Sequence, residues 1–296
     1  MQYMRYQNFL ETVKKQVKQT LHKMVSIQPV LKNNGTTYDG LIIMDPLFNI
    51  SPTIYLNSYY QRYLSGESLE EICKDIIKVY KDNLPTEDFD ISIFQDYNKA
   101  KERIIMRLIN AEKNQQLLQM VPHILIYDLA IVFLCNVSDQ MNSCATILIY
   151  NQHLSMWDID TDILYEAAKI NSYKQLPPRL DNLNDVCKHI TDESFDFLDE
   201  LDIYILTNRQ RIYGATCMIY PNLLEEIANI YEDDLIIMPS SIHEVLLFPK
   251  EKLPSGYSLE YLTTMVQTVN DTELKDIEIL SDHIYYYNRK TNKITY

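Results

Sequence analysis

The order of secondary-structure signals in the second half of the chain constrains the fold most strongly, because two strands repeatedly precede one helix. Apolar patterns predict strand pairs at residues 202–207 and 215–220 and at residues 235–238 and 242–248, and a helix follows each pair, the second at residues 258–269. Adjacent strands joined by short links are usually antiparallel. We therefore predict an α+β fold with antiparallel sheets built from strand-strand-helix units, in which helices cover one face of each sheet.

The first half carries the same kinds of element. Residues 4–22 have the periodicity of an amphipathic helix, and Ser68 and Glu71 have capping-box spacing ahead of a second apolar stripe. A long strand is predicted at residues 123–135, paired with a strand at residues 145–150. These elements add α+β structure to the first half as well.

The polar stretch at residues 176–200 is the best candidate for a boundary within the fold. It begins with Pro177 and Pro178 and becomes strongly acidic after Asp192. We predict an N-terminal α+β lobe at residues 1–175, an acidic connection at residues 176–200 and a C-terminal α+β lobe at residues 201–296. A helical insert at residues 176–200 and one compact unit remain as alternatives.

Charge and glycine content argue against several functions. The 41 acidic and 27 basic residues give a net charge of −14, whereas phosphate backbones are bound by clustered Lys and Arg. The five glycines include no two within four residues of each other, so the chain lacks both the dinucleotide-binding fingerprint and the P-loop. We expect no nucleic-acid partner and no cofactor.

Cysteine and histidine spacing predicts neither a disulfide framework nor a metal site. The five cysteines include no CxxC pair, which favours reduced, mostly buried thiols. None of the six histidines has HExxH spacing. Asp158, Asp160 and Asp162 open like a calcium loop, but Ile163 and Lys169 stand where that loop needs Gly and Glu, so a helix N-terminus is the better interpretation.

Apolar runs predict no export signal and no membrane span. Residues 1–10 have no apolar signal core. The longest apolar run, near residues 124–135, is interrupted by Tyr127 and Asp128 and is too short to cross a bilayer. We expect a cytoplasmic protein.

The block at residues 235–249 sets His243 and Glu244 into apolar sequence. Ser240 and Ser241 nearby suggest a catalytic triad, but side chains alternate along a strand, so His243 and Glu244 should point apart. We expect a central strand covered on both faces, whose polar groups need hydrogen-bond partners. The candidate polar cluster consists of Asn208, Ser240, Ser241, His243, Glu244 and Asn270, with Arg209 and Arg211 as further partners and with turn or cap duty as the alternative for Asn208 and Asn270.

Five segments of the chain carry a family pattern. They lie at residues 31–41, 49–56, 122–133, 145–157 and from 206–208 to 239–245, and include Leu31-Lys32-Asn33-Asn34-Gly35 and Pro239-Ser240-Ser241-Ile242-His243-Glu244-Val245. These segments resemble an uncharacterised bacterial family, the domain of unknown function numbered 5688. The resemblance spans nearly the whole chain. It implies one family-wide unit, a bacterial origin and a cytoplasmic setting, and it assigns no reaction and no binding residue.

Three functions follow from these patterns. The first is a non-catalytic binding or regulatory protein, because catalytic spacing and glycine loops are missing and the acidic surface suits a protein partner with a basic face. The second is a hydrolase of an unrecognised class that uses His243 or Glu244 with Asn208 and Asn270. The third is a small-ligand sensor with a pocket between the two lobes.

Overall fold

A computed structural model of the chain describes residues 4–85, 88, 90–137, 146–190, 202–253 and 258–296. The chain divides into two compact units. The first comprises residues 1–32 and 36–91, and the second comprises residues 33–35 and 92–296. The acidic residues 192–200 lie outside the described residues.

The first unit packs three helices against a three-stranded antiparallel sheet. Its elements are α1 (Tyr6–Leu21), β1 (Met24–Leu31), β2 (Thr37–Met44), β3 (Thr53–Tyr55), α2 (Leu56–Leu64) and α3 (Leu69–Asp82), with strand order β1-β2-β3. The predicted capping box begins α3, because Ser68 Oγ accepts from the Glu71 N–H and the Glu71 carboxylate accepts from the Ser68 N–H. The apolar stripes of α1 and α3 are buried in one core.

The second unit begins with a four-stranded antiparallel sheet and four helices. The elements are α4 (Tyr97–Ala100), β4 (Ile104–Asn110), α5 (Gln115–Leu118), β5 (His123–Ile126), β6 (Leu129–Asn136), β7 (Thr146–Leu148), α6 (Asn151–Trp157) and α7 (Thr161–Gln175). Strand β6 pairs with β4, β5 and β7. The single strand predicted at residues 123–135 is wrong, because Tyr127 adopts a left-handed conformation (φ 56°) and turns the chain into a hairpin.

The second unit continues with a six-stranded antiparallel sheet. Its elements are β8 (Pro178–Asn182), α8 (Leu183–Ile190), β9 (Tyr204–Asn208), α9 (Leu223–Tyr231), β10 (Leu235–Ser241), β11 (Glu244–Pro249), α10 (Leu259–Thr272), β12 (Tyr285–Asn288) and β13 (Lys293–Thr295), with strand order β13-β12-β10-β11-β9-β8. The units therefore divide near residue 91, whereas the sequence suggested a connection at residues 176–200, part of which is strand β8.

The predicted α+β class and antiparallel sheets are confirmed, and so is the central, doubly covered position of the 235–249 block. Strands β10 and β11 occupy the middle of the six-stranded sheet. On one face, Ile236 and Phe248 pack with Leu262 and Val266 of α10. On the other face Val245 is fully buried. Apolar burial on both faces fixes the register of this strand pair.

The sequence misplaces the turn within that block. It predicts the strands to end at Met238 and resume at Ile242, but β10 continues to Ser241, which pairs with Glu244 across a two-residue turn. The register is irregular between Pro239 and Ser241. A proline has no N–H to give to a ladder and is tolerated at such irregularities, which is why the strand passes through it. The turn at Ile242 and His243 is called the corner below.

The strand predicted at residues 215–220 is also wrong, because Gly214–Ile219 forms a 3-10 helix. This helix packs against the outer edge of β4. The Leu108 N–H donates to Thr216 Oγ at 3.1 Å, and the Met106 N–H donates to Ser172 Oγ of α7 at 2.8 Å. Two hydroxyl groups thus satisfy edge donors that none of the described strands pairs, so the hydrogen-bonding of β4 overrides the strand pattern of residues 215–220.

Candidate functional site

The loop after β9 is built around the buried side chain of Asn208. Its Oδ1 accepts from the N–H groups of Gln210 and Ile212 at 3.1 and 3.3 Å, and its Nδ2 donates to the Ile212 carbonyl at 2.7 Å. Asn208 is fully buried, so these bonds replace those lost to water. Asn208 therefore shapes the turn, which is the duty that the sequence offered as its alternative.

The same loop holds two residues in the left-handed conformation. Arg211 has φ 55° and Tyr213 has φ 54°, which are costly for residues with a Cβ. The following Gly214 has no room for a side chain: a Cβ there would lie 2.2 Å from Thr207 Oγ1 and 2.4 Å from the His243 carbonyl oxygen. Close contact at Gly214 therefore holds the loop against the corner and sets the position of Tyr213.

His243 lies half-buried at the corner and faces this loop. Its Nδ1 accepts a hydrogen bond from the Tyr213 N–H at 3.2 Å, and its carbonyl accepts from Thr207 Oγ1 at 2.8 Å. The Nδ1 bond places the ring proton on Nε2. Burial lowers the pKa of His243, and the nearby charge of Arg107 lowers it further, against opposing influences of Glu278 and Glu244. The imidazole is therefore neutral at neutral pH.

The serines and Glu244 make bonds of their own at the corner. Ser241 Oγ accepts from the His243 backbone N–H at 3.0 Å, and Ser240 Oγ donates to the Glu244 carboxylate at 3.4 Å. Within the described residues, no hydroxyl and no carboxylate bonds to the His243 ring. The structure thus brings Asn208, Ser241 and His243 together without forming a hydrogen-bonded nucleophile–base pair.

Asn270 takes part in a different network. The helix that was expected to end before it continues to Thr272, so Asn270 lies inside α10 and is not its cap. Its buried Nδ2 donates to the Ser281 carbonyl at 3.0 Å and to the Asp282 carboxylate at 2.7 Å. Asn270 ties α10 to the segment before β12.

The sequence reasoning missed Arg107, which lies on β4 among apolar residues. Every other residue of β4 is buried, and Arg107 alone retains partial exposure. Its Nε is sealed from solvent and, among the described residues, has no hydrogen-bond partner. The guanidinium carbon lies 4.5 Å from the centre of the Tyr213 ring, which itself stacks on His243 with centroids 6.0 Å apart. These three side chains, Arg107, Tyr213 and His243, are called the Arg107 site below.

Arg107 is unusual because no carboxylate of the described residues offsets its charge. Burial lowers its pKa, but a guanidinium stays protonated at any ordinary pH. Buried charges are normally paired, and an unpaired one costs free energy. The signal in the sequence was a single arginine in the apolar run from Ile104 to Ile109, the same kind of signal that drew attention to His243 and Glu244.

A separate cavity of about 410 Å³ lies elsewhere in the second unit. Its lining includes Tyr127, Tyr165, Tyr287 and Lys293, and it includes neither His243 nor Arg107. The tyrosine hydroxyls of Tyr127 and Tyr287 donate to the Ile294 carbonyl and to Asn292. Both Lys293 and Glu225 line this cavity, so Lys293 supplies a cation that is not isolated from carboxylates, and the cavity serves as a control for anion binding at Arg107.

The described ranges contain neither a metal-binding cluster nor a membrane-spanning helix. Within them, no three His, Cys, Asp or Glu side chains are grouped so that they could hold a metal ion. No described helix combines the length and the apolar character needed to cross a membrane. Cys73, Cys135 and Cys217 are free and buried, and burial raises the pKa of the Cys217 thiol to about 12, which makes it a poor nucleophile.

Comparison with known proteins places the chain in a family. The profile of a family of unknown function, DUF5688, matches residues 6–289. The chain belongs to the DUF5688 family. The resemblance seen in the sequence is thereby confirmed, and the match covers both compact units and the Arg107 site. No curated protein and no solved structure matches the chain.

Proposed function

We propose that this DUF5688 protein is a non-catalytic binding protein for a small anionic ligand, which it holds at the Arg107 site. One observation carries the proposal: Arg107 lies half-buried on an apolar sheet face with its Nε sealed, and it has no carboxylate partner within the part of the chain that the structure describes. Natural proteins tolerate such a cost mainly at functional sites. An anion at Arg107 supplies the missing countercharge and strong charge-assisted hydrogen bonds.

The geometry of the corner favours binding over hydrolysis. A hydrolase of the expected kind needs a base that hydrogen-bonds to a nucleophile or to water. Here the Nδ1 of His243 is already occupied by the Tyr213 N–H, and Ser241 Oγ is occupied by the His243 N–H. Both polar groups hold the corner in shape, which is what a rigid binding site requires.

Thermal unfolding in the presence of anions tests the proposal. A ligand that binds only the folded state raises the melting temperature in proportion to its saturation. Wild type should be stabilised by acetate, sulfate or phosphate beyond the effect of matched sodium chloride, and R107M should lose that increment. R209M removes an exposed arginine of the same loop, and K293M removes the cation of the separate cavity, so both should respond like wild type. An increment that survives in R107M, or that disappears in K293M, would overturn the assignment.

A further inference from the structure

The surroundings of Arg107 also indicate which anion the site takes. We infer that the ligand is a monoanionic carboxylate attached to an apolar body, such as an aliphatic acid. This inference rests on the proposed function and deepens it.

Charge balance favours a single negative charge. Arg107 contributes one positive charge. The neighbouring His243 imidazole adds no second charge, because its Nδ1 accepts the backbone N–H of Tyr213 and therefore carries no proton. Among the described residues, no other cation contacts the Tyr213 ring. A phosphate dianion here would leave one charge uncompensated in a partly enclosed site, whereas a carboxylate leaves none.

The contact with Tyr213 limits the direction of approach. The guanidinium carbon lies over the Tyr213 ring, 4.5 Å from its centre, so the ring occupies one side of the guanidinium, and Nε is sealed. The terminal nitrogens remain as donors for a ligand, since Nε is the one nitrogen of the group that is both sealed and unbonded. Two parallel N–H groups in one plane match the two oxygens of a carboxylate.

The sheet face around Arg107 suits an apolar body. Residues two apart on a strand share a face, so Ile105 and Ile109 flank Arg107, and Val132 is its cross-strand partner on β6. Ile105 belongs to an apolar cluster with Leu134 and Leu176, and Ile109 and Val132 belong to a second one. Arg107 therefore stands between two apolar clusters as the only charged residue of β4.

Partly buried members of these clusters mark where the ligand body lies. Leu148 of β7 packs against both clusters, and Tyr213 packs against the cluster of Ile105. Neither side chain is fully buried, so each retains apolar surface that a ligand can cover. Removing that surface from water adds binding free energy for every methylene group that the ligand places there.

Titration calorimetry with a carboxylate series tests the inference on the full-length protein. Butyrate, hexanoate and octanoate differ only in apolar length, and octanamide removes the charge at constant shape. Inorganic phosphate supplies the other anion class, and N-acetylleucine presents the carboxylate of a peptide end, so its affinity against hexanoate separates the two sources of carboxylate. Wild type, R107M, R107K and the controls R209M and K293M are compared.

The expected result is an affinity that rises with chain length, by up to about fourfold per methylene for full burial. Octanamide and R107M should give no measurable heat of binding, and R107K should bind at least about tenfold more weakly because an ammonium group lacks the planar fork. Tighter binding of phosphate than of octanoate, still lost in R107M, would overturn the carboxylate while leaving the proposed function intact. Binding of every anion that is unchanged in R107M would overturn both.

The His243 ring supplies a second readout if R107M proves unsuitable. An anion next to Arg107 offsets the positive charge that lowers the pKa of His243. Saturating octanoate should therefore raise the pKa of His243, followed by the NMR shift of its ring protons, and leave that of His153 unchanged. An unchanged His243 under saturating octanoate would place the ligand elsewhere.

Discussion

Replacing Arg107 with methionine should stabilise the ligand-free protein, although most substitutions in a buried strand destabilise. Methionine has a similar length and fits the apolar neighbours of β4, and it removes the sealed, unbonded Nε–H and the uncompensated charge. An unmade hydrogen bond at a buried group costs roughly 1–3 kcal/mol. The substitution loses the contact between the guanidinium and Tyr213, worth about 0.5–2 kcal/mol. The net expectation is a gain of about 1 kcal/mol.

Urea denaturation at neutral pH, followed by circular dichroism, measures this effect. The midpoint should rise in R107M with an unchanged m-value, because compactness does not change. R209M, which alters an exposed arginine, should stay within about 0.5 kcal/mol of wild type. If R107M loses more than about 1 kcal/mol, the guanidinium stabilises the fold, and the argument that Arg107 is kept for binding fails.

Three further outcomes follow from the loop and the corner. G214A should destabilise the protein by about 1–3 kcal/mol or more, since its Cβ would lie 2.4 Å from the His243 carbonyl, and an unchanged urea midpoint would contradict the packing described. N208A should cost about 1–3 kcal/mol, because the N–H groups of Gln210 and Ile212 lose their acceptor; N208D keeps that acceptor but turns the Nδ2 donor into an oxygen that faces the Ile212 carbonyl, so it should cost at least as much in the same assay. Burial lowers the pKa values of His243 and His153, so the unfolded state binds protons more readily than the folded state does. The histidine contribution to stability should therefore be complete above the ordinary histidine pKa of 6.5 and should fall as the pH drops below it. H243Q should reduce that fall, and a pH profile of stability identical to that of wild type would refute this assignment.

Local signals predicted much of the fold. Ser68 and Glu71 predicted the start of α3, because a capping box forms between residues only three positions apart. The apolar run around Val245 predicted a doubly covered central strand because burial on both faces removes the alternation of polar and apolar residues. Both features depend on composition within one element.

The wrong predictions concerned a long-range contact and an unusual backbone conformation. The strand pattern at residues 215–220 gave way to a 3-10 helix because Thr216 satisfies the edge of β4, more than one hundred residues earlier in the chain. Tyr127 turned a predicted strand into a hairpin through a left-handed conformation that tyrosine rarely adopts. Neither the partner of an edge donor nor a costly φ value can be read from neighbouring residues.

The candidate site was predicted only in part. The sequence singled out His243 and Asn208, which the structure places on facing segments, and it inferred that His243 and Glu244 do not orient each other. It overlooked Arg107, because whether a charge in an apolar strand is paired depends on residues distant in sequence. Tyr213, which joins Arg107 to His243, reaches its position through the tight packing of Gly214.

A crystal structure of the protein grown with a bromine-labelled aliphatic carboxylate tests the central claim most directly, since the bromine locates the ligand by its anomalous signal. The account predicts a carboxylate at the terminal nitrogens of Arg107, and a bromine peak beside the apolar clusters that contain Ile105 and Ile109. Bromine density confined to the cavity near Lys293, with Arg107 free of any ligand, would contradict it.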